Sequence, residues 1–201
     1  MKLEIKKSEF RENVEAFAIA VLTILFIIIF IFQSFLVKGT SMLPTLHDGE
    51  RLIVNKFIFK LREPMTGDII VLKPPKDPTK KYIKRVIGLP GDYVSIQHSK
   101  VYVNFKALEE PYLKDKTFED FPEEQVPQGK IFVMGDNRNG SLDSRSPEVG
   151  FVPLNNVVGK AAVIFWPPLD AKLIFNPKYP GYDQSVNLTF SLPFNLGVNS
   201  N

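Results

Sequence analysis

The sequence predicts a mainly β protein, in which a single N-terminal transmembrane helix precedes an antiparallel β-sheet or barrel. Three observations lead to this prediction. Residues 16–37 form a long apolar run, the rest of the chain is rich in Val, Ile, Phe and Tyr, and the chain contains 16 prolines and 12 glycines. Short β-branched runs bounded by Gly and Pro are typical of antiparallel strands, and they argue against alternating strand–helix units.

The membrane helix is predicted from residues 16–37, AFAIAVLTILFIIIFIFQSFLV, which only Thr23, Gln33 and Ser34 interrupt. About 20 apolar residues span a bilayer core of about 30 Å. The basic residues upstream favour a cytoplasmic tail over residues 1–15, and they are Lys2, Lys6, Lys7 and Arg11. The chain after the helix is then extracytoplasmic.

A cleaved secretory signal peptide is the alternative for this run. Such a peptide has an apolar region of about 7 to 15 residues that ends in a small-x-small site. The run here is longer and ends in Phe-Leu-Val-Lys. An uncleaved anchor is therefore the favoured interpretation.

Composition limits the function of the remaining chain. About 165 residues follow the anchor, enough for one domain with a core. A net charge of +3, from 25 basic and 22 acidic residues, lacks the dense basic face of a nucleic-acid-binding protein. The absence of Cys excludes disulfides and a thiol nucleophile. No His- or Cys-rich cluster is present, so no metal site is expected.

The β-rich domain is predicted over residues 38–165, and its strands follow one another along the chain. Residues 109–128, rich in Glu, Lys, Asp and Pro, are expected to form an exposed excursion. Residues 166–201 form a C-terminal tail with no predicted role. One helical turn is expected near residues 154–157. The predicted strands are residues 51–55, 68–72, 82–88, 93–97, 101–105, 130–134 and 157–165.

The candidate nucleophile is Ser41, in the segment GTSMLPTL at residues 39–46 directly after the apolar run. Gly39 permits an unusual backbone before the serine, and Pro44 stiffens the chain after it. Such a turn can expose the hydroxyl and leave the Ser41 N–H to stabilise an oxyanion. A serine nucleophile also needs a base.

Histidine is one candidate base. His47 lies six residues after Ser41 and precedes Asp48, so a Ser-His-Asp arrangement can be written. His98 lies in a predicted hairpin turn. Both histidines occupy polar loop segments, and nothing in the sequence places either imidazole on the serine hydroxyl.

Lysine is the other candidate base. In YIKRVIG, period-two alternation places Tyr82, Lys84 and Val86 on one face. An ordinary strand lysine extends to water, whereas a buried one has its pKa lowered. The drop needed from about 10.4 to near 7.5 is within reach of full burial. Lys81 is the rival, although it follows Lys80 in a charged approach to the strand.

The segment GDNRNGSLDSR, at residues 135–145, follows the predicted strand KIFVM directly. A polar surface loop is the ordinary interpretation of this composition. Loops this rich in paired charges are also frequent sites held by their own hydrogen-bond networks. Ser141 can hydrogen-bond a neutral lysine amine, and Asp143 and Arg145 can pair.

Two further segments are YIKRVIGLPGD at residues 82–92 and GDIIVLKPP at residues 67–75. Together with GTSMLPTL and GDNRNGSLDSR, they make the chain resemble the bacterial type I signal peptidases. The resemblance implies a catalytic domain of that type, anchored in the bacterial cytoplasmic membrane. It implies a Ser-Lys dyad endopeptidase that needs no cofactor and removes signal peptides after a small-x-small site. Exported preproteins and the lipid bilayer are the implied partners.

The resemblance also assigns roles by motif position. Ser41 matches the nucleophile, Lys84 the general base and Ser141 the hydroxyl that orients the lysine. Asp143 and Arg145 match a structural charge pair. Asp136 and Arg138 match supports of the same loop, and the residues that match the substrate pocket are Gly39, Met42, Leu46, Tyr82 and Ile83.

The chain departs from the family pattern at three places. Asn139-Gly140 stands where the family more often has Asp-Asn. Gly39 stands where some members have a serine that completes the oxyanion hole, so a second donor is expected from backbone or water. Asn104-Phe105 occupies a hairpin turn where Asn-Gly is usual.

Two competing interpretations remain. A soluble self-cleaving regulator with a Ser-Lys dyad does not fit the anchor or the first 15 residues. A catalytically inert, membrane-anchored β-rich binding or scaffold protein predicts no loss of function when Ser41 or Lys84 is replaced. The aromatic residues at 57–59 and at 165–166 fit either a core or the lipid headgroup zone.

Overall fold

The computed structural model describes residues 9–179, and it is mainly β, as the sequence predicts. The first eight residues of the expected cytoplasmic tail and residues 180–201 of the expected C-terminal tail lie outside that range. Within it lie twelve strands, two α-helices and three short 3-10 helices.

The N-terminal helix α1 spans Glu9–Ile31, and strand β1 spans Phe32–Leu36. Residues 32–36 at the end of the predicted anchor are therefore part of the sheet and not of the helix. Phe32 pairs with Asn55 and Leu36 with Arg51, and alternate residues of β1 turn toward and away from solvent. Gln33 and Ser34 lower the apolar character there, and antiparallel pairing with β2 continues the chain as a strand. Among residues 9–179, no helix combines the length and the apolar character required of a membrane span.

The remaining elements follow in chain order. The second helix α2 is Ile58–Leu61. The strands are β2 Arg51–Asn55, β3 Ile69–Leu72, β4 Tyr82–Gly88, β5 Tyr93–Gln97, β6 Lys100–Val103, β7 Lys106–Ala107, β8 Phe121–Gln125, β9 Lys130–Met134, β10 Val152–Pro153, β11 Val157–Trp166 and β12 Lys172–Leu173. The 3-10 helices are Arg138–Gly140, Leu154–Asn156 and Pro168–Asp170.

The larger sheet is antiparallel, with the strand order β1-β2-β11-β3-β4-β9-β10 and with β12 added beside β11. Strand β4 pairs with β3 along Tyr82 to Arg85, and with β9 only from Arg85 onward. The 82–84 stretch of β4 thus has a strand partner on one side only within the described chain. Strand β1 is likewise an edge, with β2 as its partner.

The smaller sheet has the order β7-β6-β5-β8. Its strand β8 lies in the excursion that the sequence predicts to be exposed, and four of its five residues are exposed. The sequence FPEEQ has low β propensity, so pairing with β5, from Tyr93↔Gln125 to Ile96↔Phe121, fixes it as a strand.

Three apolar clusters fill the interior. The one that positions the site lies beneath β1, β2, β3 and β11. It contains Val37, Met42, Leu46, Leu52, Val54, Ile69, Val71, Ala161 and Ile164. The segment between β1 and β2 is thereby fastened to the sheet through its own apolar residues.

The turn between β6 and β7 contains two consecutive left-handed residues, Asn104 with φ 50° and Phe105 with φ 67°. This is the backbone of the turn in which Asn-Gly is usual. A side chain with a Cβ is strained there. We therefore expect Phe105→Gly to be more stable than Phe105→Ala by about 1 kcal/mol, since both lose the aromatic ring and only Gly relieves the strain.

Urea denaturation of the two variants measures this difference. Because both variants lose the stacking of Phe105 on Tyr93, at 5.7 Å between ring centroids, that contribution cancels. Equal stabilities of the Ala and Gly variants would contradict the expectation.

Candidate active site

Ser41 lies in the loop of residues 37–50, whose two ends are hydrogen-bonded to each other. Val37 N donates to the Glu50 carbonyl at 2.8 Å and Gly49 N donates to the Val37 carbonyl at 3.1 Å. Within the loop, Gly39 adopts φ 89°, and its N–H donates to Asp48 Oδ1 at 2.6 Å. The turn that the sequence predicts around Gly39 is therefore present, and it places Ser41 at the surface of the sheet.

Lys84 is the base candidate that meets this serine. Its Nζ lies 2.8 Å from Ser41 Oγ, and the residue is only 3% exposed. It reaches Ser41 from β4, where it pairs with Ile70 of β3. A hydrogen bond of this length between a hydroxyl and a desolvated amine is the geometry that proton abstraction requires.

The other basic candidates lie elsewhere. Lys81 is exposed, and its Nζ lies 5.0 Å above the Phe35 ring. The His47 side chain is 59% exposed, with Nδ1 at 3.6 Å from Glu50 Oε1. His98 is an exposed residue in the tight turn between β5 and β6.

The surroundings of Lys84 favour its neutral form. Burial lowers the pKa of Lys84 from 10.5 to about 8, because the charged amine loses its hydration. The carboxylates of Asp143 and Asp136 act against this by raising the pKa, and the Arg145 guanidinium lowers it. A substantial fraction of the amine is therefore neutral near pH 8 and available to accept a proton.

The loop after β9 is braced by the side chains of Asp143 and Arg145. Arg145 Nε and Nη2 each donate to the Asp143 carboxylate at 2.9 Å. Asp143 Oδ2 also accepts the Gly135 N–H at 2.9 Å, and Arg145 Nη2 donates to the Arg138 carbonyl at 2.5 Å. One ion pair thus ties both ends of the loop together.

The structure does not contain the predicted hydrogen bond from Ser141 to the lysine. Ser141 Oγ is buried and has no hydrogen-bond partner among the described residues. It lies against Gly135, where an added Cβ would meet both the Ser141 hydroxyl and the Ser41 carbonyl. The absence of a side chain at Gly135 lets the loop that carries Ser41 approach the loop after β9, and the Ser141 hydroxyl fills this space.

Asp136 and Arg138 are both buried, but each pairs with a residue that the sequence does not indicate. Asp136 accepts two hydrogen bonds from Arg85, at 2.8 and 2.6 Å, and a third from Thr45 Oγ1 at 2.5 Å. Arg138 forms two hydrogen bonds to Glu110, at 2.7 and 2.5 Å. The sequence does contain one indication of the Arg85 ion pair, because an arginine within the otherwise apolar end of β4 needs an acidic partner.

A cavity of about 350 Å³ lies beside Ser41 and Lys84. Residues 35–39 line one side and residues 81–84 the other, with Met42 and Val71 also in the lining. Four of the predicted pocket residues, Gly39, Met42, Tyr82 and Ile83, are in this lining. We call this cavity the groove.

Leu46, the fifth predicted pocket residue, is absent from the lining of the groove and is fully buried in the core. Its N–H donates to the Met42 carbonyl at 2.9 Å. This helical turn directs Leu46 into the apolar cluster that contains Leu52 and Ile69.

A larger and more open cavity, of about 710 Å³, lies between residues 47–50 and residues 166–172. Neither Ser41 nor Lys84 lines it. Size alone therefore does not identify the site, whereas the contact between a hydroxyl and a buried amine does.

This fold and this site define a class of protein. A surface serine hydroxyl in contact with a desolvated amine, beside a groove with a free strand edge, is the arrangement of a serine peptidase. The match to known families is specific. The chain belongs to the signal peptidase family, peptidase S26, which matches residues 10–166.

Several curated relatives are named signal peptidase I. The chain is 42% identical over 172 residues to Signal peptidase I of Bacillus licheniformis, covering 81% of this chain and 91% of the relative. It is 41% identical over 174 residues to Signal peptidase I T of Bacillus subtilis, with coverages of 81% and 88%. A crystal structure of a signal peptidase I from Enterococcus faecalis is 33% identical, with a TM-score of 0.44, and covers 49% of this chain and 97% of that chain.

Proposed function

We propose that this serine peptidase removes signal peptides from exported preproteins after a small-x-small site, with Ser41 as nucleophile and Lys84 as general base. The single observation that carries the proposal is the 2.8 Å contact between Ser41 Oγ and a Lys84 amine that is 3% exposed. The chain's membership of the signal peptidase family supports the substrate class.

The proposal includes a membrane anchor in the apolar run that begins at residue 16, with the N-terminus in the cytoplasm. The exposed side chains of α1 support it, because they include Phe17, Leu22, Ile24, Phe26 and Phe30. Apolar side chains exposed along a helix are costly in water and favourable in lipid. The bacterial cytoplasmic membrane is the proposed location, with the β-rich domain outside.

The proposed binding mode uses the free strand edges beside the groove. The cleavage region of the preprotein enters as an extended chain and adds a strand next to β4 at residues 82–84. Backbone hydrogen bonds then fix its register. The small volume of the groove, about 350 Å³ for several subsites, limits the side chains before the cut to small ones.

In the proposed reaction, neutral Lys84 takes the proton from Ser41 Oγ as the hydroxyl oxygen attacks the scissile carbonyl. The Ser41 N–H donates a hydrogen bond to the oxyanion. The protonated amine then gives its proton to the leaving nitrogen, and the C–N bond breaks. Lys84, neutral again, activates a water molecule that hydrolyses the acyl-enzyme.

The proposed mechanism predicts a pH dependence. Only the neutral amine accepts the proton, so kcat/KM is expected to rise with pH through an apparent pKa of about 8. About tenfold is expected per pH unit well below that value, because the neutral fraction changes by that factor. The measurement is kcat/KM between pH 5.5 and 10. A profile that rises near pH 6.5 instead would indicate a histidine base.

The proposed function is tested with the detergent-solubilised full chain and a preprotein that carries an Ala-x-Ala site. We expect one cut directly after the second Ala, identified by the mass of the mature protein. The matched control substrate has Leu in place of that Ala, and it is expected to be cleaved at least about 100-fold more slowly, since a larger side chain does not fit. Equal cleavage of both substrates, or none of either, would overturn the proposal.

A further inference from the structure

The 174–179 segment, which lies beyond the residues matched by the family, packs against the back of the candidate site. It leaves the edge of the sheet at Ile174, whose N–H donates to the Ala162 carbonyl at 2.9 Å. Asn176 Nδ2 donates to Asp68 Oδ1 at 2.7 Å, and Asn176 Oδ1 accepts from Lys160 Nζ at 2.9 Å. Two side-chain hydrogen bonds thus fasten the middle of the segment to β11 and to the residue before β3.

The segment then packs closely on the chain before β3. Gly67 adopts φ 94°, and a Cβ added there would lie 3.1 Å from both Pro177 Cδ and Tyr179 Cε2. Tyr179 is only 5% exposed. Its hydroxyl lies 3.2 Å from the Tyr112 hydroxyl, with the two rings edge to face.

Gly67 and Tyr112, which the segment covers, both contact Arg85. Arg85 Nη1 donates to the Gly67 carbonyl at 3.0 Å, and the guanidinium carbon lies 3.9 Å from the centroid of the Tyr112 ring. Arg85 is 2% exposed. The 174–179 segment therefore closes the cage around this guanidinium.

Arg85 connects that cage to both candidate catalytic residues. It follows Lys84 directly in β4, and it forms two hydrogen bonds to Asp136. Asp136 in turn accepts from Thr45 Oγ1, in the loop that carries Ser41. A displacement of Arg85 is thus transmitted to the lysine through the strand and to the serine through Asp136.

We propose that Asn176 and Tyr179 are positioning residues for the reaction, because they fix Arg85 and Asp136 behind Lys84 and Ser41. This inference rests on the proposed function for its kinetic test. Neither residue lines the groove. Tyr179 acts on Arg85 through Gly67 and Tyr112, and Asn176 holds the segment that carries Tyr179 in place through Asp68 and Lys160. Loss of the segment is expected to lower kcat much more than it raises KM, since the groove itself is unchanged.

The test compares the full-length Asn176→Ala/Tyr179→Ala variant with the parent. We expect kcat to fall about tenfold or more, as small misplacements of catalytic groups do, with KM changed less than about threefold. We also expect the rise of kcat/KM to move to higher pH, because a displaced Arg85 neutralises the Asp136 carboxylate less, and that carboxylate favours the charged form of Lys84. Tyr179→Phe, which keeps the ring, is expected to retain at least about a third of the parent kcat.

Two control variants separate positioning from general stability. Phe175→Ala changes a side chain of the same segment that is 77% exposed, and it is expected to behave as the parent does. Val152→Ala destabilises a core cluster that contains Ile131 and Val149 and does not include Tyr179. If Val152→Ala lowers kcat as much as the double variant at equal loss of stability, or if the double variant keeps the parent pH profile, the positioning role is overturned.

A second measurement keeps this result independent of the preprotein. The rate at which a small serine-directed acylating reagent labels Ser41, followed by intact mass, is expected to fall about tenfold in the double variant. Unchanged labelling would overturn the inference even if preprotein cleavage were lost. If labelling falls as expected in the double variant but the parent cleaves no preprotein, the inference stands and the proposed substrate is wrong.

Discussion

Replacing Lys84 with methionine is expected to lower kcat/KM by about four orders of magnitude or more. Methionine fills much of the same volume and is apolar, so the packing around the buried amine is largely kept. The hydroxyl of Ser41 then has no acceptor for its proton at the 2.8 Å position. The measurement is single-turnover cleavage of the Ala-x-Ala preprotein at pH 9, where the parent amine is mostly neutral.

The matched control is Lys80→Met, because Lys80 is exposed and pairs with Asp77 at 2.9 Å. It is expected to keep the parent rate. Ser41→Ala is expected to be about as inactive as Lys84→Met, and the double variant no worse than either, since nucleophile and base act as a unit. Residual activity within tenfold of the parent in Lys84→Met would exclude a lysine base.

Replacing Arg85 with leucine is expected to lower the free energy of unfolding by about 3–5 kcal/mol. The change leaves the Asp136 carboxylate buried, at 2% exposure for the residue, without its ion-pair partner. Only Thr45 Oγ1 still donates to it among the side chains of the described chain. The measurement is urea or guanidinium denaturation, followed by the fluorescence of Trp166.

Arg51→Leu is the matched control, because Arg51 is an exposed arginine that also lies in a strand of the larger sheet. Its expected effect is within about 0.5 kcal/mol. A combined Arg85→Leu/Asp136→Leu variant is expected to recover part of the lost stability, since no buried charge then remains unpaired. An effect of Arg85→Leu no larger than that of Arg51→Leu would show that the ion pair contributes nothing measurable.

Local patterns predict the parts of the site that depend on neighbouring residues. Ser41 follows from a Gly before it and a Pro after it, and the Asp143–Arg145 pair needs contacts only two residues apart. Lys84 follows from its place in an apolar strand together with the family resemblance. The strands are likewise indicated by β-branched runs between turns, and β2, β4, β5 and β9 have the predicted bounds.

The remaining features depend on contacts between distant parts of the chain. Arg85 meets Asp136 across 51 positions, and Asn176 meets Asp68 across 108. No single-sequence pattern contains these pairings. Motif position predicts Leu46 in the pocket, whereas the helical turn from Met42 directs it into the core. Strand β8 exists because β5 offers a free edge to a segment of low β propensity.

The one-sided pairing of β4 at residues 82–84 has a consequence for how this chain tolerates sequence variation. A peptide that adds to this edge is read through backbone N–H and C=O groups, which every residue except proline supplies equally. Conservative changes of the side chains at residues 32–34 of β1, which do not line the groove, are therefore expected to be nearly neutral. A proline at residue 83 is different, because it removes the N–H of that residue from the ladder. In a screen for preprotein cleavage, variants at residues 32–34 are thus expected to keep activity, whereas proline at residue 83 is expected to lose it.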